Sequence, residues 1–305
     1  MADTDQFPER ASFYWAFNSS TQAHGQPVNN NRQFKDHQAY RVSVVIPTLN
    51  EAANLPHVLP FIPSWVDEVL LVDGYSTDQT VAVARALLPD IRVVQQEGRG
   101  KGAALRTCFA VATGDIIVML DADGSTDPRE IPAYVGALLA GADYAKGSRF
   151  AQGGGTEDMT VLRQLGNSFF VLLVRALFGE RFTDLCYGYN AFWTRFLPVL
   201  DPDVDGFEIE TLLNLRALRA QLKIREVPSF EYNRKHGESH LKTWPDGWRV
   251  LKTIVRERLK PRRSHGLLRP SGQHAARNLS ITENEFDRLP AASASEFDSA
   301  RGRAG

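Results

Sequence analysis

Residues 116–124 read Ile-Ile-Val-Met-Leu-Asp-Ala-Asp-Gly. The apolar run is too short for a helix and, rich in Ile and Val, suits a strand buried on both faces, as in parallel sheets. It ends on two carboxylates, Asp121 and Asp123, which period-two alternation puts on one side of the chain. Three similar runs lie upstream: Val42 to Pro47, Glu68 to Asp73 and Ile91 to Gln95. Segments of helical type separate them. These are Glu51 to Phe61, then Asp78 to Leu88 with Ser76 or Asp78 as cap and Pro89 as stop, then Lys101 to Ala112, stopped by Gly114. The alternation predicts an α/β fold with a doubly wound, mostly parallel sheet, helices on both faces and right-handed crossovers. Ligands of such sheets bind at the carboxyl ends of the strands. Three polar clusters converge there: Pro47-Thr48-Leu49-Asn50-Glu51, Asp73-Gly74-Tyr75-Ser76-Thr77-Asp78 and Asp121-Ala122-Asp123-Gly124.

The 305 residues carry 35 Lys+Arg against 36 Asp+Glu, a balance that excludes a generic polyanion or nucleic-acid binder. Two cysteines, Cys108 and Cys186, make no disulfide framework, and no signal-peptide pattern opens the chain, so the expected compartment is the cytoplasm. No Cys/His spacing suits a metal. The strongest apolar stretch, Phe169 to Val174, is interrupted by Arg175, and no bilayer-spanning segment is expected. Residues 1–40, with an Asn/Gln-rich part, and residues 264–305, rich in Ser, Ala, Gly and Arg, are expected to be loose extensions, the first disordered or loosely docked. Residues 41–263 are expected to form one structured body.

Asp-x-Asp at a strand end offers oxygen donors to a hard cation, Mg²⁺ or Mn²⁺, with positions left for substrate phosphates. A solvated turn is the bland alternative, and the place of the motif in the sheet argues against it. Gly98-Arg99-Gly100-Lys101-Gly102 lacks the spacing of a nucleoside-triphosphate loop, yet it puts Lys101 at a helix start near the nucleotide edge, suited to a diphosphate or sugar contact. Further on, Lys146-Gly147-Ser148-Arg149 ends a fifth strand, Gly206-Phe207-Glu208-Ile209-Glu210 opens a helix, and Lys223 to Pro228 is a strand. Arg234-Lys235-His236-Gly237-Glu238-Ser239-His240 has the composition of an anion-binding loop or of a solvated charge run. Thr243 to Lys260 is a helix with a Thr243-x-x-Asp246 capping box. Trp244, Trp248, Leu251, Val255 and Leu259 share one face, and Leu241 to Arg263 holds eight basic residues against two acidic ones. Such a helix can rest on an anionic membrane; docking of the stripe on the protein core is the more common use and is the expectation here.

Taken in order, these motifs resemble family 2 glycosyltransferases of the GT-A fold, nearest to the branch of dolichyl- and polyprenyl-phosphate hexosyltransferases. The likeness runs from about Val42 to Arg258. It implies that Pro47, Thr48, Asn50, Glu51, Asp73, Ser76, Lys101, Asp121 and Ala122 bind a nucleotide diphosphate sugar, and that Asp121 and Asp123 hold Mg²⁺ or Mn²⁺, with Asp123 the principal ligand. It places Arg149, Arg163, Arg234 and Ser239 around an acceptor phosphate. Where the family usually has a basic residue after that Ser, this chain has His240.

The reaction so implied is an inverting transfer of a hexose, from UDP-hexose first and GDP-mannose second, to a lipid phosphate or a saccharide acceptor, with the protein cytoplasmic or peripheral at the inner face of the cell membrane through residues 243–263. A phosphate acceptor is ionised near pH 7 and needs no base, whereas a hydroxyl needs one, for which Glu208 is the choice. The alternatives are transfer to a sugar or small-molecule hydroxyl and, in another class, a non-catalytic nucleotide-sugar-binding scaffold. A metal-independent nucleotidyltransferase fits less well, because Pro47 to Glu51 stand where that chemistry favours a Gly- and Lys/Arg-rich loop.

Overall fold

The computed structural model describes residues 40–180, 182–238 and 242–261. The expectations for the two extensions, Tyr40 apart, and for Ser239 and His240 lie outside the described residues.

A seven-stranded sheet carries the body, in the order β3-β2-β1-β4-β7-β5-β8. Its strands are β1 (Val42–Thr48), β2 (Glu68–Asp73), β3 (Arg92–Gln95), β4 (Ile116–Met119), β5 (Tyr144–Ser148), β7 (Asn190–Trp193) and β8 (Ile224–Pro228). A two-stranded sheet pairs β6 (Gly155–Thr156) with β9 (Phe230–Glu231). The first four strands match the expected ones, and all neighbours in the large sheet are parallel except β7, which is antiparallel to both β4 and β5. Because β7 runs backwards, its start, and not its end, reaches the edge where the other strands finish.

Alternation along β1 and β4 divides the core. Val42, Val44, Ile46, Ile116 and Val118 pack beneath α1 (Thr80–Leu87) and α3 (Ile131–Leu139). Val45, Ile117 and Met119 face α2 (Lys101–Val111) and α6 (Ile209–Arg219). A third apolar cluster joins α6 to α4 (Val161–Phe178) and α7 (Thr243–Leu259) through Val174, Leu215, Val250 and Ile254. The helix α5 (Leu197–Leu200) is a single turn.

Two expectations change. The segment Glu51 to Phe61 forms two 3₁₀ turns, Leu55–His57 and Leu59–Phe61, since Pro56 and Pro60 each remove an amide donor that a continuous helix needs. The second change concerns α7. Asp246, Val250, Thr253, Ile254 and Glu257 form its buried face, while Trp244 is 80% exposed and Trp248, Val255 and Leu259 lie on the open side. The tryptophan stripe therefore does not dock on the core, because the opposite face is already fastened there: Arg216 donates to Glu257 at 3.3 Å, and Asp246 accepts the Lys242 amide at 2.7 Å. Beside it, α4 exposes Val161, Leu162, Leu165, Phe169 and Leu172. Its 18 residues, of mean hydropathy 1.4, are long and apolar enough by length and composition to cross a membrane, which the interruption at Arg175 does not prevent. Asn167 ties it to the protein by accepting from the amides of Leu185 (3.0 Å) and Cys186 (3.2 Å).

Candidate active site

The strand ends open into one cavity of about 1300 Å³. Among the donor-side residues expected from sequence, Pro47, Thr48, Glu51, Lys101, Asp121, Ala122 and Asp123 line it, whereas Asn50, Asp73 and Ser76 do not. Those three stitch two loops together. The Asn50 amide donates to Ser76 Oγ at 2.9 Å, Asn50 Oδ1 accepts the Thr77 amide at 2.7 Å, and the Asp73 carboxylate accepts the Ser76 amide at 3.2 Å. Thr48 Oγ1 is likewise tied to the Val72 carbonyl at 3.1 Å.

Lys101, the first residue of α2, lies between two carboxylates, with Nζ 2.6 Å from Asp121 Oδ1 and 2.6 Å from Glu210 Oε1. Burial alone would lower its pKa, but the attraction of Asp121 and Glu210 outweighs that and raises it above the ordinary lysine value, so the ammonium stays charged. The backward strand completes this group. Gly188, just before β7, packs so closely that a Cβ there would sit 2.6 Å from Glu210 Oε1, 2.9 Å from Lys101 Nζ and 3.0 Å from Asp121 Oδ2. The start of α2 is not a vacant phosphate cradle: the Gly102 amide donates to the Asp205 carbonyl at 2.8 Å, and a Cβ on Gly100 or Gly102 would strike the 204–205 backbone.

Asp123 faces a second cation. Arg234 bridges it and Glu51, donating to Asp123 Oδ2 at 2.9 Å and to Glu51 Oε1 at 3.1 Å. Burial pushes the Glu51 carboxyl above the usual range, in spite of the opposing contributions of Asn54 and Arg234. Both carboxylates of the Asp-x-Asp motif thus already neutralise positive charge, and their hard oxygens suit Mg²⁺ or Mn²⁺. Among the described residues no group of three or more His, Cys, Asp or Glu could hold a metal unaided. The rest of a coordination shell would therefore come from ligand oxygens, as for a metal carried on a diphosphate.

The expected acceptor residues divide. Arg149, Arg163 and Arg234 all line the cavity. Arg149, however, is spent: Nε and Nη2 donate to the fully buried Asp184 at 2.7 and 3.0 Å, and Nη1 to Glu231 at 3.0 Å. Burial would lower its pKa, but Asp184 and Glu231 raise it instead, and in turn Arg149 holds Asp184 below its ordinary value against the effect of burial. It braces β5 against the 183–187 turn and β9, and a direct phosphate contact would break that brace. Arg163 stands in the first turn of α4, capped by Thr160 Oγ1 at 3.3 Å, with Asp158 3.9 Å from its guanidinium. Glu208 is not among the lining residues, and its Oε2 is buried without a hydrogen-bond partner among the described residues. The acid of that helix that faces the cavity is Glu210, two positions on from the Glu208 that sequence reasoning chose. Gln96 and Gly188 also line the cavity and carry no motif that would have singled them out. On the far side, Met159, Leu162, Phe169, Trp244, Trp248 and Leu251 form an apolar wall from α4 and α7.

Comparison with known proteins agrees with this geometry. The family model for glycosyl transferase family 2 matches residues 43–196. A polyprenol monophosphomannose synthase of Mycolicibacterium smegmatis is 33% identical over 218 residues, 66% of this chain and 81% of that protein. A low-salt glycan biosynthesis hexosyltransferase of Haloferax volcanii is 30% identical over 70% of this chain, which spans only 53%, about half, of that relative's length. Among solved structures, glucosyl-3-phosphoglycerate synthase of Mycobacterium tuberculosis, in complex with Mn²⁺, UDP-glucose and phosphoglyceric acid, matches with a TM-score of 0.61 and 26% identity over 79% of this chain and 86% of that one. With the sheet order, the carboxylate edge and the matched span in agreement, the chain belongs to glycosyl transferase family 2 and has the GT-A fold.

Proposed function

We propose that the chain transfers a hexose from a nucleotide diphosphate sugar to a polyprenyl phosphate at a membrane surface, with UDP-hexose the first donor to test and GDP-mannose the second. The observation that carries this reading is the continuity of one cavity from Lys101, Asp121 and Asp123 to the apolar wall of α4 and α7, whose side chains go on to the open surface. A charged head and a long apolar tail ask for that combination in one acceptor site. The relatives named for polyprenol and dolichol phosphates support it.

The acceptor oxygen attacks the anomeric carbon opposite the diphosphate, and the electron pair of the breaking C–O bond leaves on the diphosphate. Asp121 and Asp123 would hold Mg²⁺ or Mn²⁺, which when bound supplies positive charge to that leaving group. Lys101, kept protonated between Asp121 and Glu210, adds a fixed charge at the same edge. Arg163 and Arg234, with Ser239 carried over from the family likeness, are the groups proposed to bind an acceptor phosphate, and Arg149 fixes the turn behind them. An ionised phosphate needs no base, in keeping with the place of Glu208 outside the cavity lining. The exposed faces of α4 and α7 would lie in the interface of an anionic membrane, at its cytoplasmic side.

The test is a donor screen with radiolabelled UDP-glucose and GDP-mannose, Mn²⁺ and a polyprenyl phosphate, counting label extracted into organic solvent. Label there, lost in Asp123→Ala, is the expected outcome. A second reading, transfer to a small hydroxyl acceptor, takes its support from the solved relative that holds phosphoglyceric acid. Label confined to the aqueous phase would favour it and sink the lipid reading.

A further inference from the structure

We propose that Arg234 does two things in succession. In the unloaded protein it supplies the positive charge on Asp123 that a divalent cation brings on loading, and on loading it leaves that carboxylate and turns to the acceptor phosphate. The proposal rests on the reading of Asp123 as a metal ligand.

Asp123 has no oxygen without a donor. Oδ1 accepts from the Ser125 amide at 3.0 Å and from Ser125 Oγ at 2.7 Å, both within its own turn. Oδ2 accepts from Arg234, which reaches it from 111 positions further along the chain. The turn contacts are neutral, and a carboxylate oxygen has a second lone pair to offer alongside them. Arg234 carries a full charge, and a guanidinium 2.9 Å from Oδ2 repels any cation that approaches the same oxygen. Metal and arginine are therefore competitors for Asp123.

The contact also closes a loop. The Lys235 amide donates to the Asp123 carbonyl at 3.4 Å, and the His236 amide donates to Asn54 Oδ1 at 2.9 Å, with Asn54 Nδ2 returning a bond to the His236 carbonyl at 3.2 Å. The segment 234–236 is thereby fastened across the carboxylate edge at both charged and neutral points. Release of Arg234 loosens that segment where it lines the cavity, on which Arg163 also borders. Since Arg149 is held by Asp184 and Glu231, the freed Arg234 is the cation best placed to join Arg163 at an incoming phosphate. Donor loading and acceptor binding are then linked through one side chain, and linkage of this kind is reciprocal.

The experiment is Mn²⁺ binding to the full chain, read as the loss of free-ion signal in electron paramagnetic resonance, without nucleotide. Arg234→Gln, checked by circular dichroism to be folded, is expected to bind Mn²⁺ about tenfold more tightly than the parent, the equivalent of about 1.4 kcal/mol. Arg234→Lys keeps the competing charge and is expected to stay near the parent. Equal or weaker binding by folded Arg234→Gln overturns the proposal. Should that variant not fold, hydrogen exchange of the parent decides: Mn²⁺ alone is expected to speed exchange at the Lys235 and His236 amides, and unchanged or slower exchange overturns it. If the parent binds no Mn²⁺, with or without UDP or GDP, the metal reading itself fails, and the proposal with it.

Discussion

Glu210 shows how much the side chain at one position can depend on a missing one at another. Its carboxylate shares Lys101 with Asp121 only because Gly188 leaves them room. Glu210→Gln keeps the shape but removes one of the two charges that hold the ammonium, and kcat/KM is expected to fall by about 10²-fold, the order seen when one preorganised electrostatic partner is lost. Glu208→Gln should stay within about twofold of the parent, as expected away from the reacting atoms. A larger loss at Glu208 than at Glu210 would reverse the assignment. A second, half-buried acid bears on stability. Burial pushes the Glu130 carboxyl up to about 7, against the donors Ser229 and the Phe230 amide. The folded chain thus retains a proton that the unfolded chain gives up near the ordinary glutamate value of 4.5, so stability is lost as pH rises through that window and levels off above it. Thermal melts from pH 4.5 to 8 should show Glu130→Gln gaining on the parent by up to about 3 kcal/mol, with no gain at the acid end. The carboxylates at the strand ends were legible from their position in the chain. Glu130 and Gly188 were not, because their roles come from neighbours distant in sequence.

At the scale of elements, α4 and α7 matter most. The strands were readable because a run buried on both faces has little alternative. The capping box expected at Thr243 and Asp246 forms only in part: Asp246 accepts the Lys242 amide, but Lys242 stands at the N-cap and Thr243 is already the first helical residue, with no side-chain bond capping the helix. The direction in which α7 faces was not readable. Both sides of this helix carry apolar residues, and the choice was made by Arg216 and Glu257, a buried pair between α6 and α7 that a periodicity count does not see. Trp244 and Trp248 are consequently left outside. Replacing both by Ala should weaken sedimentation with phosphatidylglycerol vesicles by about tenfold or more, given the apolar area each ring offers to an interface. The melting temperature should barely change, since neither ring packs in the core. Vesicle binding equal to that of the parent would remove the membrane role of this face.

For the whole molecule, residues 41–263 are proposed as the unit that folds. A chain cut to that span should melt within about 2 °C of the full one, since peripheral segments contribute little and a kilocalorie moves a body of this size by only a few degrees. A drop of 10 °C or more would mean that an extension packs on the body. Within that unit, β7 has a consequence for how such proteins diversify. Because it slots between β4 and β5, the chain from Phe150 to Tyr189 leaves the sheet and comes back to a neighbouring place in it. That detour carries α4, Arg163 and the turn behind Arg149, while most of the donor edge is complete before it begins. An excursion with adjacent endpoints can be exchanged between relatives with little disturbance of the strands that flank it. Swapping it with Gly188 kept, so that Lys101, Asp121 and Glu210 retain their room, is the route proposed here to a new acceptor.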